Sequence, residues 1–81
     1  MGIFDATLDD VPGSLHTLTG IISSHRGNIL NIFHDRLVEN LPMGKIRVVF
    51  VIEVRNSEHL EEILMNLGAK GFEVRKRTDA V

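Results

Sequence analysis

Cysteine is absent from this chain, and so are tryptophan and tyrosine. Without cysteine there is no disulfide to staple the fold and no thiolate to hold a metal. Its few aromatics are four phenylalanines, too sparse for the stacking platform on which single-stranded RNA is read. Charge of one sign is also lacking: the formal net charge is -2, so nothing suggests a surface built for nucleic acid or anionic membrane. No apolar run approaches the roughly 20 residues of a membrane span. The opening Met1-Gly2-Ile3-Phe4-Asp5 has no basic region or cleavable apolar stretch, so cytoplasmic placement is expected. Ala6 stands where a myristoylation signal needs a hydroxyl. His16, His25 and His59 are scattered without metal-site spacing, and Ser14, Ser23 and Ser24 have no positioned base. These absences point away from a catalyst and from any metal or cofactor.

What is present fits one small domain. The 81 residues are 43% hydrophobic and 25% charged, an ordinary globular balance. A chain this short buries only about 60% of its unfolded surface, so its core must come from aliphatic side chains, or partly from a partner. Residues 1–77 read as that domain and 78–81 as a short C-terminal tail.

Hydrophobic periodicity gives six elements. Ile3 to Leu8 alternates, with Phe4, Ala6 and Leu8 on one face and Ile3, Asp5 and Thr7 on the other. Asp9-Asp10-Val11-Pro12-Gly13 breaks the strand, and Asp10 is the expected cap of a helix in which Leu15, Leu18 and Ile22 share a stripe. Gly27-Asn28 ends that helix. Ile29 to Arg36 is a second strand whose imperfect alternation allows for a bulge. Val38 to Gly44 is a loop. Lys45 to Arg55 is the clearest strand, with Ile46, Val48, Phe50, Ile52 and Val54 in unbroken period two. Ser57 is the expected cap of a second helix that buries Leu60, Ile63, Leu64 and Leu67, and Phe72 to Lys76 is a last short strand with Phe72 and Val74 inward.

The order β-α-β-β-α-β predicts an α+β, ferredoxin-like sandwich: a four-stranded antiparallel sheet, first and third strands central, with both helices on one face. The other face lies open. It should carry Arg47, Val49, Val51 and Glu53, with Ile3 beside them, and the two valines mark either ordinary surface aliphatics or a contact surface.

The candidate site is the first strand-to-helix turn with the start of the second strand. A helix start offers outward N–H groups and a positive dipole end to an anion. Gly13 lets a ligand approach the backbone, Asp10 can accept from an ammonium, and Asn28 carries a donor and an acceptor on one side chain. Asp-x-Pro-Gly and Gly-Asn are equally a plain helix start and a plain helix end. Topology is expected to bring Asp10 and Asn28 close together. His34-Asp35-Arg36 is not a dyad, because strand neighbours point to opposite faces.

The run Asp10-Val11-Pro12-Gly13-Ser14-Leu15, followed by Gly27-Asn28-Ile29, resembles the signature of ACT domains, and the resemblance extends from Ile3 to Arg75. His34-Asp35-Arg36, Leu41-Pro42-x-Gly44 and Glu53-x-Arg55-x-x-Glu58-His59 are similar to the C-terminal regulatory domain of some threonine dehydratases. The resemblance implies a regulatory module that binds a small or aliphatic amino acid between two copies, as a homo-oligomer of at least dimer size or with a metabolic enzyme. It implies ligand contacts at Asp10, Val11, Gly13, Ser14, Leu15, Asn28 and Leu30. Where serine-binding members carry asparagine this chain has Asp10, which suits an ammonium better than a carboxylate. The other reading is an interaction subunit that dimerises without ligand. A small acyl-phosphate hydrolase of the same fold class lacks support, because Leu8 to Gly13 is acidic where a basic phosphate loop would lie.

Overall fold

The computed structural model describes residues 1–35 and 41–77. The strand end expected at Arg36, the Val38–Asn40 part of the expected loop and the 78–81 tail lie outside them. The elements run β1 (Gly2–Asp9), α1 (Ser14–Ser24), β2 (Asn28–Asp35), β3 (Lys45–Glu53), α2 (Ser57–Ala69) and β4 (Glu73–Lys76). They form one antiparallel sheet in the order β2-β3-β1-β4, the ferredoxin-like architecture, with β1 and β3 central as their apolar alternation requires.

The inward face of the sheet makes the core. Phe4, Ala6, Leu8, Val48, Phe50 and Ile52 pack against Leu18 and Ile22 of α1 and Leu60, Ile63 and Leu67 of α2. Leu15, Leu64, Phe72 and Val74 close its margin half-buried. The rings of Phe4 and Phe50, paired across β1 and β3, stack with centroids 5.2 Å apart and planes 14° from parallel. The register of β2 shifts between Ile29 and Asn31, a bulge at Leu30 that turns Leu30 outward on an edge strand.

Both expected caps are corrected. Asp10 does not cap α1: the N-cap is Gly13, and no side chain caps the helix start. Val11-Pro12-Gly13-Ser14 is a type II turn, in which the Ser14 N–H donates to the Val11 carbonyl (3.3 Å), proline holds the second position and Gly13 takes φ 91° at the third. That left-handed position is why glycine stands there. In α2 the cap is Asn56, not Ser57, and its side chain accepts from the His59 N–H at 2.8 Å. The chain offers adjacent residues with the same capping chemistry, and backbone geometry chooses between them.

Helix α1 also ends differently from the glycine rule. The Arg26 N–H donates to Ser23 (3.0 Å) and the Gly27 N–H to Ile22 (2.9 Å), a Schellman motif. Arg26, φ 66°, occupies the left-handed position, and Gly27 is small for another reason. A Cβ on Gly27 would sit 2.7 Å from Ile22 Cγ2 and 3.0 Å from Ile63 Cδ1, where the helices converge.

Candidate functional site

Three elements meet at one end of the sheet: the β1–α1 turn, the start of β3 and the α2–β4 turn. Between them lies a cleft of about 440 Å³ whose lining includes Val11, Gly13, Ser14, Thr17, Lys45 and Lys70. The first turn of α1 opens onto it. Helix starts leave backbone donors without intrahelical acceptors, and here no side chain covers them. A Cβ built on Gly13 would meet nothing within 4 Å, so the approach to the backbone is open. Two lysines are among its lining residues. Lys45 Nζ contacts Asp9 Oδ1 at 2.5 Å, and Lys70 closes α2. Lys45 and Lys70 were not legible as site residues, although Lys45 sits opposite Asp9 in the β1–β3 register.

The expected residues divide into two groups. Val11, 58% exposed, Gly13 and Ser14 line the cleft, and Asp10 is exposed beside it, its N–H donating to the Gly44 carbonyl at 2.7 Å. Leu15 is half-buried against the core. Asn28 and Leu30 lie elsewhere. Asp9 pairs with Lys45 at one end of β3 and Asn28 with Glu53 at the other. The 9 residues of β3 separate those ends by about 26 Å at roughly 3.3 Å per residue. The expectation that Asp10 and Asn28 meet within one copy is therefore corrected. Helix α1 carries the chain back along the sheet, so the residues that bracket it stand at opposite ends. The Asn28 side chain reaches Glu53 Oε1 at 3.4 Å, and Leu30 is 50% exposed at the bulge. His34 and Asp35 align with Val48 and Arg47, which face opposite sides of the sheet, as strand alternation requires.

Among the described residues no group of three or more histidine or carboxylate side chains could hold a metal ion, and no helix is long and apolar enough to cross a membrane.

No family model matches the chain. In sequence it is similar to the L-threonine ammonia-lyase of Thermotoga maritima, 39% identical over 66 residues that make up 82% of this chain. Those residues are 16% of the relative, so the chain corresponds to a small part of that enzyme. In structure it is similar to the ACT domain from GTP pyrophosphokinase of Chlorobium tepidum, with TM-score 0.69 at 23% identity, covering 94% of this chain and 95% of that one. It is also similar to the regulatory subunit of aspartate kinase from Thermus thermophilus, with TM-score 0.66 at 16% identity over 96% of this chain and 51% of that one. The chain thus has the same fold as these two structures, and by sequence it is similar to a segment of an L-threonine ammonia-lyase.

Proposed function

We propose that this chain is a regulatory module that binds a free amino acid between two of its copies, and that it acts by binding rather than by catalysis. The observation that carries the reading is the start of α1, free of any side-chain cap, opening beside Gly13 onto a cleft whose lining includes Lys45 and Lys70. A ligand carboxylate there meets the positive end of the helix dipole, with Lys70 and the Asp9-paired Lys45 alongside. Asp10 stands beside the cleft to take the ammonium, and Val11 offers an apolar wall. The similarity to part of a threonine ammonia-lyase and to a regulatory subunit of aspartate kinase supports an amino acid as the ligand class.

Asn28 and Leu30 join such a site only from a second copy. β2 is an edge strand. A copy laid alongside it with reversed direction carries its own Asn28 toward the Asp10 end of the first, and the two-fold makes both sites equivalent. Exposed Leu30 sits on that edge and fits the contact. Binding then shifts assembly, or the conformation of an attached enzyme, by its preference for one of two states. Exposed Leu30 and Phe33 also favour a second reading, an association subunit that pairs the same way without ligand.

Calorimetry against the proteinogenic amino acids separates the two readings, with heat from at least one ligand expected under the first. Asp10→Asn and Asn28→Ala should each weaken that ligand roughly ten- to hundredfold. Mixing the two variants should restore about a quarter of the sites, because half the pairs are mixed and each mixed pair holds one intact site. Failure to restore any would sink the shared site, and no heat from any amino acid would leave the association reading.

A further inference from the structure

The open face of the sheet, away from the helices, carries a second concavity, which has Thr7 in common with the lining of the α1 cleft. It measures about 350 Å³ and is lined by Asp5, Thr7, Arg47, Glu73, Val74 and Arg75. Asp5 pairs with Val49 on one side and Arg75 on the other, and Arg47 lies one step along, opposite Thr7. Asp5 is only 9% exposed although no helix covers this face. Arg77 Nε lies 2.7 Å from Asp5 Oδ1, a pairing held by charge, since Oδ1 has no aligned hydrogen-bond donor among the described residues. Arg47 Nε is likewise buried and has no acceptor among them.

Two buried groups of opposite kind therefore share one concavity: a carboxylate oxygen held only by its charge pairing with Arg77, and a guanidinium N–H of Arg47 that lacks an acceptor among the described residues. Leaving the Arg47 N–H unmade is costly, because a buried polar atom has already lost its water. The charged side chains that line it are two of each sign, Asp5 and Glu73 against Arg47 and Arg75, with Arg77 on Asp5 as a further cation, so a ligand carrying both a carboxylate and an ammonium finds a partner for each end.

We propose that this concavity is a second ligand site, separate from the α1 cleft, for the head group of a small zwitterion carrying a carboxylate and an ammonium. The carboxylate accepts from Arg47 Nε–H and from Arg75, in the fork geometry guanidinium groups favour. The ammonium donates to Asp5. A carboxylate has about four lone-pair sites, so Asp5 serves the ammonium and Arg77 together. The Thr7 hydroxyl can donate to the carboxylate or accept from the ammonium.

The test is titration of the full chain with glycine, the smallest α-amino acid, followed by the Arg47 Nε–H resonance in heteronuclear NMR. Glycine should shift that resonance and the Val74 and Arg75 amides. Acetate alone and methylammonium alone should each bind roughly tenfold or more weakly than glycine, since each makes half the contacts. Arg47→Gln and Asp5→Asn should each weaken glycine by a similar factor. Arg75→Gln, at an exposed position that does not threaten folding, should also weaken it. The proposal is overturned if glycine moves Arg47 Nε–H no more than sodium chloride of equal ionic strength, which would mean that water alone bridges the two groups. It is equally overturned if Arg75→Gln and Arg47→Gln bind glycine as the unaltered chain does. Shifts confined to Gly13–Thr17 and Asn28 would uphold the α1 site and remove this one, and shifts confined to Arg47 and Arg75 would do the reverse.

Discussion

His59 Nε2 lies 2.7 Å from the carbonyl oxygen of His25, so the first turn of α2 holds the last carbonyl of α1. The other ring nitrogen, Nδ1, accepts from the Arg55 N–H at 3.1 Å. One tautomer satisfies both, with the proton on Nε2. The ring is 4% exposed and precedes Ile63 by four residues on the buried stripe of α2. It joins the end of α1 to the approach to α2.

His59→Phe keeps an aromatic of similar breadth and strands a carbonyl and an N–H in the interior. Each orphaned group costs about 1–3 kcal/mol, so the denaturation midpoint should fall by a large share of the chain's stability. An unchanged midpoint would show that water replaces both bonds.

Arg26 sits at φ 66°, where glycine is favoured, and the equivalent position after α2 is Gly71 at φ 94°. Arg26→Gly should therefore stabilise the chain by about 0.5–1 kcal/mol, against the usual sign for a substitution to glycine. The neighbouring Gly27→Ala should destabilise by about 1–3 kcal/mol, because its Cβ would press on Ile22 and Ile63. Thermal unfolding of the two variants should move in opposite directions, and movement in the same direction would contradict this assignment of the turn.

The stacked Phe4 and Phe50 join the two central strands at the middle of the core. Phe50→Ala should cost about 3–5 kcal/mol. In a double-mutant cycle with Phe4→Leu, the two rings should show coupling of about 0.5–1.5 kcal/mol beyond their buried area. Additive losses would mean that the stack contributes only its area.

Leu30 and Val51 separate two modes of self-association. Leu30 is at the bulge of the β2 edge, and Val51 is on the open face beside Ile3. If copies pair along β2, Leu30→Glu should weaken the dimer at least tenfold in sedimentation at micromolar concentration, while Val51→Lys leaves it intact. The reverse result would move the contact to the open face, and a monomer at every concentration would exclude both.

Much of the fold was legible because burial writes period two into strands and near-period four into helices. Ile46, Val48, Phe50 and Ile52 placed β3, and the broken alternation around Leu30 announced its bulge. What escaped depends on geometry that residue type does not encode. Asp10 and Ser57 have capping chemistry, but Gly13 and Asn56 hold the positions. Proximity in a βαβ unit does not follow from bracketing a helix, which misplaced Asn28 relative to Asp10. Asp5 reads as a surface residue on an open face, and only the arrangement of arginines around it buries it. His59 left one signal, its spacing of four from Ile63.

The strand order carries a consequence for how the chain folds. Within the sheet, β2 touches only β3, and β1 pairs with β3 and β4. The first half of the sequence thus holds two strands that never meet, and neither gains a sheet neighbour until β3 arrives. Local helix formation in α1 can precede this step, but the closure of the central pair spans the sequence separation of 36 between Asp9 and Lys45 and bears the loop-closure entropy of that separation. A ribosome-bound chain ending before Lys45 should show no protected strand amides. Both ends of the proposed interface, the α1 turn and the β2 edge, are then assembled in one cooperative event, and a copy able to pair with another is already a fully folded one.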